Sequence, residues 1–110
     1  MELRVSGDRS VSAWMEIANH GNVHCRPEGT VRVLDADGQQ LDQQLLPRGM
    51  PVSPSGSASF SVPMPAVRAA PGAYALTAEL GCHTVAGLPV QLTASQSGRL
   101  TESNDWILND

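Results

Sequence analysis

The amino-acid sequence predicts an all-β fold, a sandwich of about seven short strands, and three observations support that prediction. Apolar and polar residues alternate over most of the chain, which is the period of a half-buried strand. Clusters of Gly, Pro, Asn, Asp and Ser separate the alternating segments at short and regular intervals. Helical spacing of apolar residues is nearly absent. With 110 residues, 41% of them apolar, the chain can bury one core, so we expect one domain.

Seven segments carry the alternation. They are residues 2–6, 11–18, 30–35, 40–46, 57–64, 73–80 and 88–94. Gly38 follows the third segment and favours a hairpin, because glycine accepts the positive φ that tight turns require. The Gln-rich fourth segment is typical of an edge strand, and so are the segments that contain Pro63 and Pro89, since proline lacks an N–H.

The end of the chain has a different pattern. Residues 95–110 are polar at first and then contain the apolar group Trp106, Ile107 and Leu108 between acidic residues. We therefore expect a sandwich domain over residues 1–94 and a C-terminal tail or linker over residues 95–110. Two interpretations of the apolar group are open: it docks into a partner, or it belongs to a disordered linker.

Charge and hydropathy exclude two classes of partner. The formal net charge is −4 and the seven cationic residues, all arginine, are scattered, whereas nucleic-acid binding needs a basic stripe. No apolar run approaches the ~20 residues that a membrane-spanning helix needs. No signal peptide is visible, so the sequence indicates either a cytoplasmic protein or part of a longer chain.

Three sequence elements together suggest a family. They are Asn-x-Gly-Asn at residues 19–22, GTVRVLDADG at residues 29–38 and PGAYAL at residues 71–76. On these elements, residues 10–94 resemble bacterial immunoglobulin-like domains of cell-envelope proteins, including those of pilus-assembly chaperones. The resemblance implies an immunoglobulin-like Greek-key β-sandwich whose role is binding or assembly. It also implies that Tyr74 forms a tyrosine corner, in which the phenol hydrogen-bonds the backbone of the preceding connection.

The two cysteines and three histidines form the most informative group. In the expected topology, the loops that contain Cys25 and Cys82 lie at the same end of the sandwich. A disulfide between them would close a long loop, contribute about 4 kcal/mol, and indicate an oxidising compartment such as the periplasm or cell surface. Two alternatives are open: a copper or zinc site that uses His20, His24 and His83 with the thiols, or two free thiols.

Catalytic arrangements find little support. The sequence contains no Gly-x-Ser-x-Gly elbow, and without lysine it cannot form a phosphate-binding loop that ends in Lys. A dyad of Cys25 with His83, or of Cys82 with His24, is geometrically conceivable at the shared end but has no further support in the sequence. We therefore expect no enzyme and no cofactor other than the copper or zinc of the alternative above.

The predicted function is that of an extracytoplasmic binding or assembly module in a bacterial envelope, adhesion or pilus-related protein. Its partner would be a protein, bound either by loops at the Cys–His end or by strand addition along an exposed edge. The candidate edges are the segment 41–46 and the segment that contains Pro89. The alternative function is that of a small copper- or zinc-binding protein.

Overall fold

The computed structural model describes residues 1–20, 24–46, 51–83 and 90–108, and within these ranges every regular element is a β-strand. The strands are β1 (Glu2–Val5), β2 (Val11–Ala18), β3 (Arg26–Asp35), β4 (Gln40–Leu46), β5 (Ser57–Pro63), β6 (Gly72–His83), β7 (Val90–Leu100) and β8 (Trp106–Leu108).

The strands form two antiparallel sheets. One sheet has the order β1-β2-β5, and the other has the order β4-β3-β6-β7-β8. The chain passes from the first sheet to the second after β2, returns after β4, and crosses again after β5. These crossings make a Greek-key sandwich, so the all-β, immunoglobulin-like fold class predicted from the sequence is confirmed.

The alternation of the sequence explains the core. Because successive side chains of a strand point to opposite faces, each strand directs one apolar set between the sheets. The first sheet contributes Leu3, Val11, Ala13, Met15, Ile17 and Val62, and the second contributes Val31, Val33, Leu46, Leu76, Ala78, Leu80 and Leu100. Met64 and Val67, in the connection after β5, complete this core.

The hairpin between β3 and β4 forms where the sequence predicts it. Gly38 has a φ of 82° and donates its N–H to the carbonyl of Asp35 at 3.1 Å. The Asp35 carboxylate accepts hydrogen bonds from the backbone N–H groups of Asp37 and Gln39. This side chain therefore stabilises the turn.

The chain after residue 94 differs from the expected tail. β7 continues to Leu100, which is buried in the core, and β8 pairs with the end of β7. Trp106 packs against the core, and its ring leaves no room for a side chain at Gly98. Periodicity does not predict these strands, because the residues of β7 from 95 to 97 are polar on both faces. The expected start of this strand at residues 88–89 lies outside the described residues.

Candidate functional site

The disulfide predicted between Cys25 and Cys82 is present. Their Cα atoms lie 5.4 Å apart, and both residues are buried. Cys25 also forms an isolated backbone bridge with Val52, which ties the start of β3 to the connection between β4 and β5. The expected position of Cys82 in a loop is wrong, because β6 extends through Cys82 as it pairs with Pro27 of β3.

The histidines are arranged around the same end of the domain. His20 and His24 are exposed, and the backbone of His83 pairs with Arg26, although its side chain lies outside the described part of the structure. Cysteines joined in a disulfide cannot be thiolate ligands, so the alternative site would rest on histidines alone. Among the described residues, no three His, Cys, Asp or Glu side chains are grouped to hold a metal ion.

Tyr74 adopts the predicted tyrosine corner. Its Oη donates a hydrogen bond to the backbone carbonyl of Ala70 at 2.7 Å, across the connection between β5 and β6. The ring is partly buried and packs against the core. This hydrogen bond fixes the connection at the end of the sandwich opposite the disulfide, which is a structural role.

The outer edge of β4 is protected. Its Asp42 points toward the core and is 9% exposed. The carboxylate accepts hydrogen bonds from the backbone N–H of Ala66 at 2.9 Å and that of Gln43 at 2.8 Å. The ladder between β3 and β4 is irregular at Val33 and Leu34. An inward-pointing charge and a bulge both discourage the addition of another strand, so β4 is a poor docking edge.

The outer edge of β7 has no such protection. β8 pairs with β7 only at residues 98–100, so residues 91–97 have no strand beside them in the described structure. The N–H of Thr101 donates to the carbonyl of Asp105, so Thr101 bonds toward the β8 side. Every second residue of a strand bonds to the same side, so the odd-numbered residues of β7 also direct their hydrogen-bonding groups away from β6. By this alternation, Thr93, Ser95 and Ser97 direct their N–H and C=O groups to the free edge. Residues 91–97 contain no charged residue and no proline.

The inner face of the same part of β7 is uncovered. Leu80 of β6 is 6% exposed, but Leu92, its direct neighbour in β7, is 40% exposed. Ala94 is also exposed, and Leu108 of β8 is 55% exposed on this face. The smaller sheet therefore covers Leu80 of β6 but leaves Leu92 and Ala94 of β7 exposed. We refer to residues 91–97 with Leu108 as the open flank.

The C-terminal apolar group divides between the core and the surface. Trp106 is partly buried against the core, whereas Ile107 and Leu108 are exposed on opposite faces of β8. The docking interpretation for all three residues therefore narrows to Leu108, which lies on the open flank. Ile107 pairs with Arg99 on the outer face of the sheet.

Comparisons with known proteins find no matching protein-family model and no matching curated protein. Within the described residues, no helix is long and apolar enough to cross a bilayer. The fold, the disulfide and the open flank are therefore the observations on which a function can be proposed.

Proposed function

We propose that this domain is a non-catalytic, extracytoplasmic binding or assembly module of a bacterial envelope, adhesion or pilus-related protein. It binds an extended strand of a protein partner along the outer edge of β7. The observation that carries the proposal is the edge at residues 91–97, beside which the described residues place no strand and which is neither charged nor interrupted by proline. Such an edge is an open template for pairing with another chain.

The geometry of β7 suits strand addition. The backbone groups of Thr93, Ser95 and Ser97 supply main-chain hydrogen bonds, which give affinity with little dependence on partner sequence. Leu92 and Ala94 lie on the uncovered inner face, where an apolar side chain of the added strand would be partly buried. Side-chain contacts on this face give the specificity that backbone pairing lacks.

The disulfide supports the proposed location. Disulfides persist in oxidising compartments such as the periplasm and the cell surface, and they are rare in the bacterial cytosol. The Cys25–Cys82 bond joins the residue before β3 to β6, the neighbour of β3 in the larger sheet, and is buried. It also removes both thiols from the set of possible nucleophiles and metal ligands, which supports a binding role over catalysis.

Site-specific photo-cross-linking tests the proposal. A benzophenone amino acid replaces Ser95 on the β7 edge in the organism that makes the protein, and a matched variant carries it at Leu45 on the β4 edge. Both positions are exposed. We expect a discrete adduct from position 95, with the cross-linked site mapped to an extended segment of another protein. No adduct at position 95, or equal adducts from both edges, would contradict the proposal.

A further inference from the structure

A groove lies at the end of the sandwich opposite the disulfide, between the β3–β4 hairpin and the connection from β5 to β6. Its volume is about 510 Å³. Leu41 and Tyr74 are partly buried and packed against the core, so they form its floor. The apolar residues around them are all exposed: Ala66, Ala70, Pro71 and Ala73. The groove therefore presents apolar surface that no other part of the described structure covers.

Side-chain hydrogen bonds hold the walls of this groove in place. The Asp35 carboxylate accepts backbone N–H groups of its own turn and so fixes the hairpin. On the other wall, the N–H of Ala66 donates to Asp42, and the carbonyl of Ala70 accepts the hydrogen bond from Tyr74. Because both walls are fixed in the free protein, binding there does not have to order them, which lowers its entropic cost.

Opposite charges line the two sides of the groove without pairing. Asp37 lies in the hairpin and Arg68 lies in the connection, and both side chains are exposed. Neither has an ion pair among the described residues. Asp35 adds a second carboxylate on the side of Asp37. A ligand with an anionic group at one end and a cationic group at the other would meet complementary charge at both sides.

The shape of the groove favours a chain segment over a small molecule or a second copy. Most of the lining residues are exposed, so a small molecule would stay largely in water, whereas small-molecule sites bury most of their ligand. A second copy related by a two-fold axis would set groove against groove, and two concave surfaces leave the space between them unfilled. An extended peptide can cross the groove and reach both charges.

The backbone of the groove is accessible to such a segment at Gly72. This residue has a φ of 150°, a conformation that other residues rarely adopt. A Cβ atom added there would meet no other atom within 4 Å, so the space above it is open. A peptide backbone can therefore approach the chain closely at the start of β6.

We propose that this groove is a second binding site, which takes an extended segment of a partner protein with an apolar residue between an acidic and a basic residue. The apolar side chain packs on Leu41 and Tyr74. The acidic side chain pairs with Arg68, and the basic side chain pairs with Asp37. The site uses no residue of β7, so it is independent of the strand addition proposed above.

Titration with short peptides, followed by NMR, tests the site. Each peptide is acetylated and amidated and contains one leucine between a glutamate and a lysine, with the two charges three to five residues apart and in both orders. We expect peptides of one order to shift the amide resonances of Gly72 and Tyr74. They should bind at least about fivefold more tightly than peptides of the reverse order, because the reverse order places like charges together.

A charge-swapped variant is the matched control. In the double variant Asp37→Arg, Arg68→Glu, the preference should change to the reverse order. The net charge of the chain is the same in both proteins, so general attraction cannot cause such a change. Equal affinity for both orders, the same preference in both proteins, or no shift with any peptide would overturn the proposal.

Three further measurements identify what occupies the groove. Ala70→Phe fills it from an exposed position and should abolish the shifts at Gly72, whereas unchanged binding would overturn the proposal. Equal shifts with a mixture of free glutamate, leucine and lysine would overturn it, because a small molecule would then be sufficient. Shifts of the same resonances on dilution of the protein alone would also overturn it, because a second copy would then occupy the groove.

Discussion

The two sides of this sandwich end in different ways. On one side, β4 and β5 contact each other across the core, and Asp42 joins β4 to the connection after β5. On the other side, the described residues of β8 pair with β7 only at residues 98–100, and Leu92 and Leu108 are exposed. The first side is closed to further strands by its side chains, whereas the second leaves backbone and apolar surface free.

The comparison shows that the position of a strand at a sheet edge does not decide whether it can bind another strand. β4 and β7 flank the same pair of inner strands and both leave backbone groups at an edge. An inward carboxylate and a ladder irregularity protect β4. Residues 91–97 of β7 have neither, so the difference lies in side-chain chemistry.

The disulfide should have the largest effect on stability, because it closes a loop of 57 residues at the end shared by both sides. Replacement of Cys25 and Cys82 by alanine should lower the free energy of unfolding by about 4 kcal/mol. Urea denaturation of the oxidised protein and the double variant measures the difference. A loss below about 1 kcal/mol would show that the end is held by its backbone ladder alone.

The directly paired leucines Leu80 and Leu92 differ in how far the smaller sheet covers them. Leu80→Ala should cost about 3 kcal/mol, because it leaves a cavity in the core. Leu92→Ala should cost less than about 1 kcal/mol, because this side chain is already 40% exposed. Equal losses in denaturant titrations would mean that the inner face of β7 is covered as fully as that of β6.

Proline substitutions distinguish the two edges of β7. Ala94→Pro should cost about 2–3 kcal/mol, because it removes a hydrogen bond to β6 and leaves a carbonyl of β6 unpaired. Ser95→Pro should cost less than about 1 kcal/mol, because the N–H of Ser95 points to the free edge. The same variant should abolish the adduct from a cross-linker placed at Thr93. The reverse order of thermal stabilities would show that the alternation assigned to β7 is wrong.

On the closed side, Asp42→Ala should cost about 2 kcal/mol, because it leaves the N–H of Ala66 without an acceptor. The variant should also self-associate at high protein concentration, since the inward charge that protects β4 is gone. Asp42→Asn also removes the charge but retains one acceptor, so it should lose less stability than Asp42→Ala and self-associate to the same extent. Sedimentation velocity over a range of concentrations tests the second expectation, and a monomeric Asp42→Ala protein would show that Asp42 does not guard the edge.

Much of the fold could be predicted because local chemistry determines it. Alternation predicts the inward residues of β2, and Gly38 predicts the turn after β3. The Pro-Gly step before Tyr74 predicts the corner hydrogen bond. The disulfide follows from the topology, which brings two distant segments together. Each of these features depends on a residue type that has few structural alternatives.

The open flank could not be predicted in the same way. It depends on how far β8 pairs with β7 in the described structure, and no residue type in either strand predicts that extent. The burial of Trp106 depends on the packing of its ring against Gly98 of the neighbouring strand, where a side chain would not fit. The polar pattern of residues 95–97 suggested a tail because a strand exposed on both faces has no apolar period.

Amide hydrogen exchange along β7 reports whether its outer edge is free. In the free protein, the N–H groups of Thr93, Ser95 and Ser97 should exchange rapidly, because they face the open edge. Those of Ala94 and Gln96 should exchange slowly, because they bond to β6. We therefore expect fast and slow exchange to alternate from residue 93 to residue 97. Uniformly slow exchange from residue 93 to residue 97 would contradict it, since the edge would then already be paired.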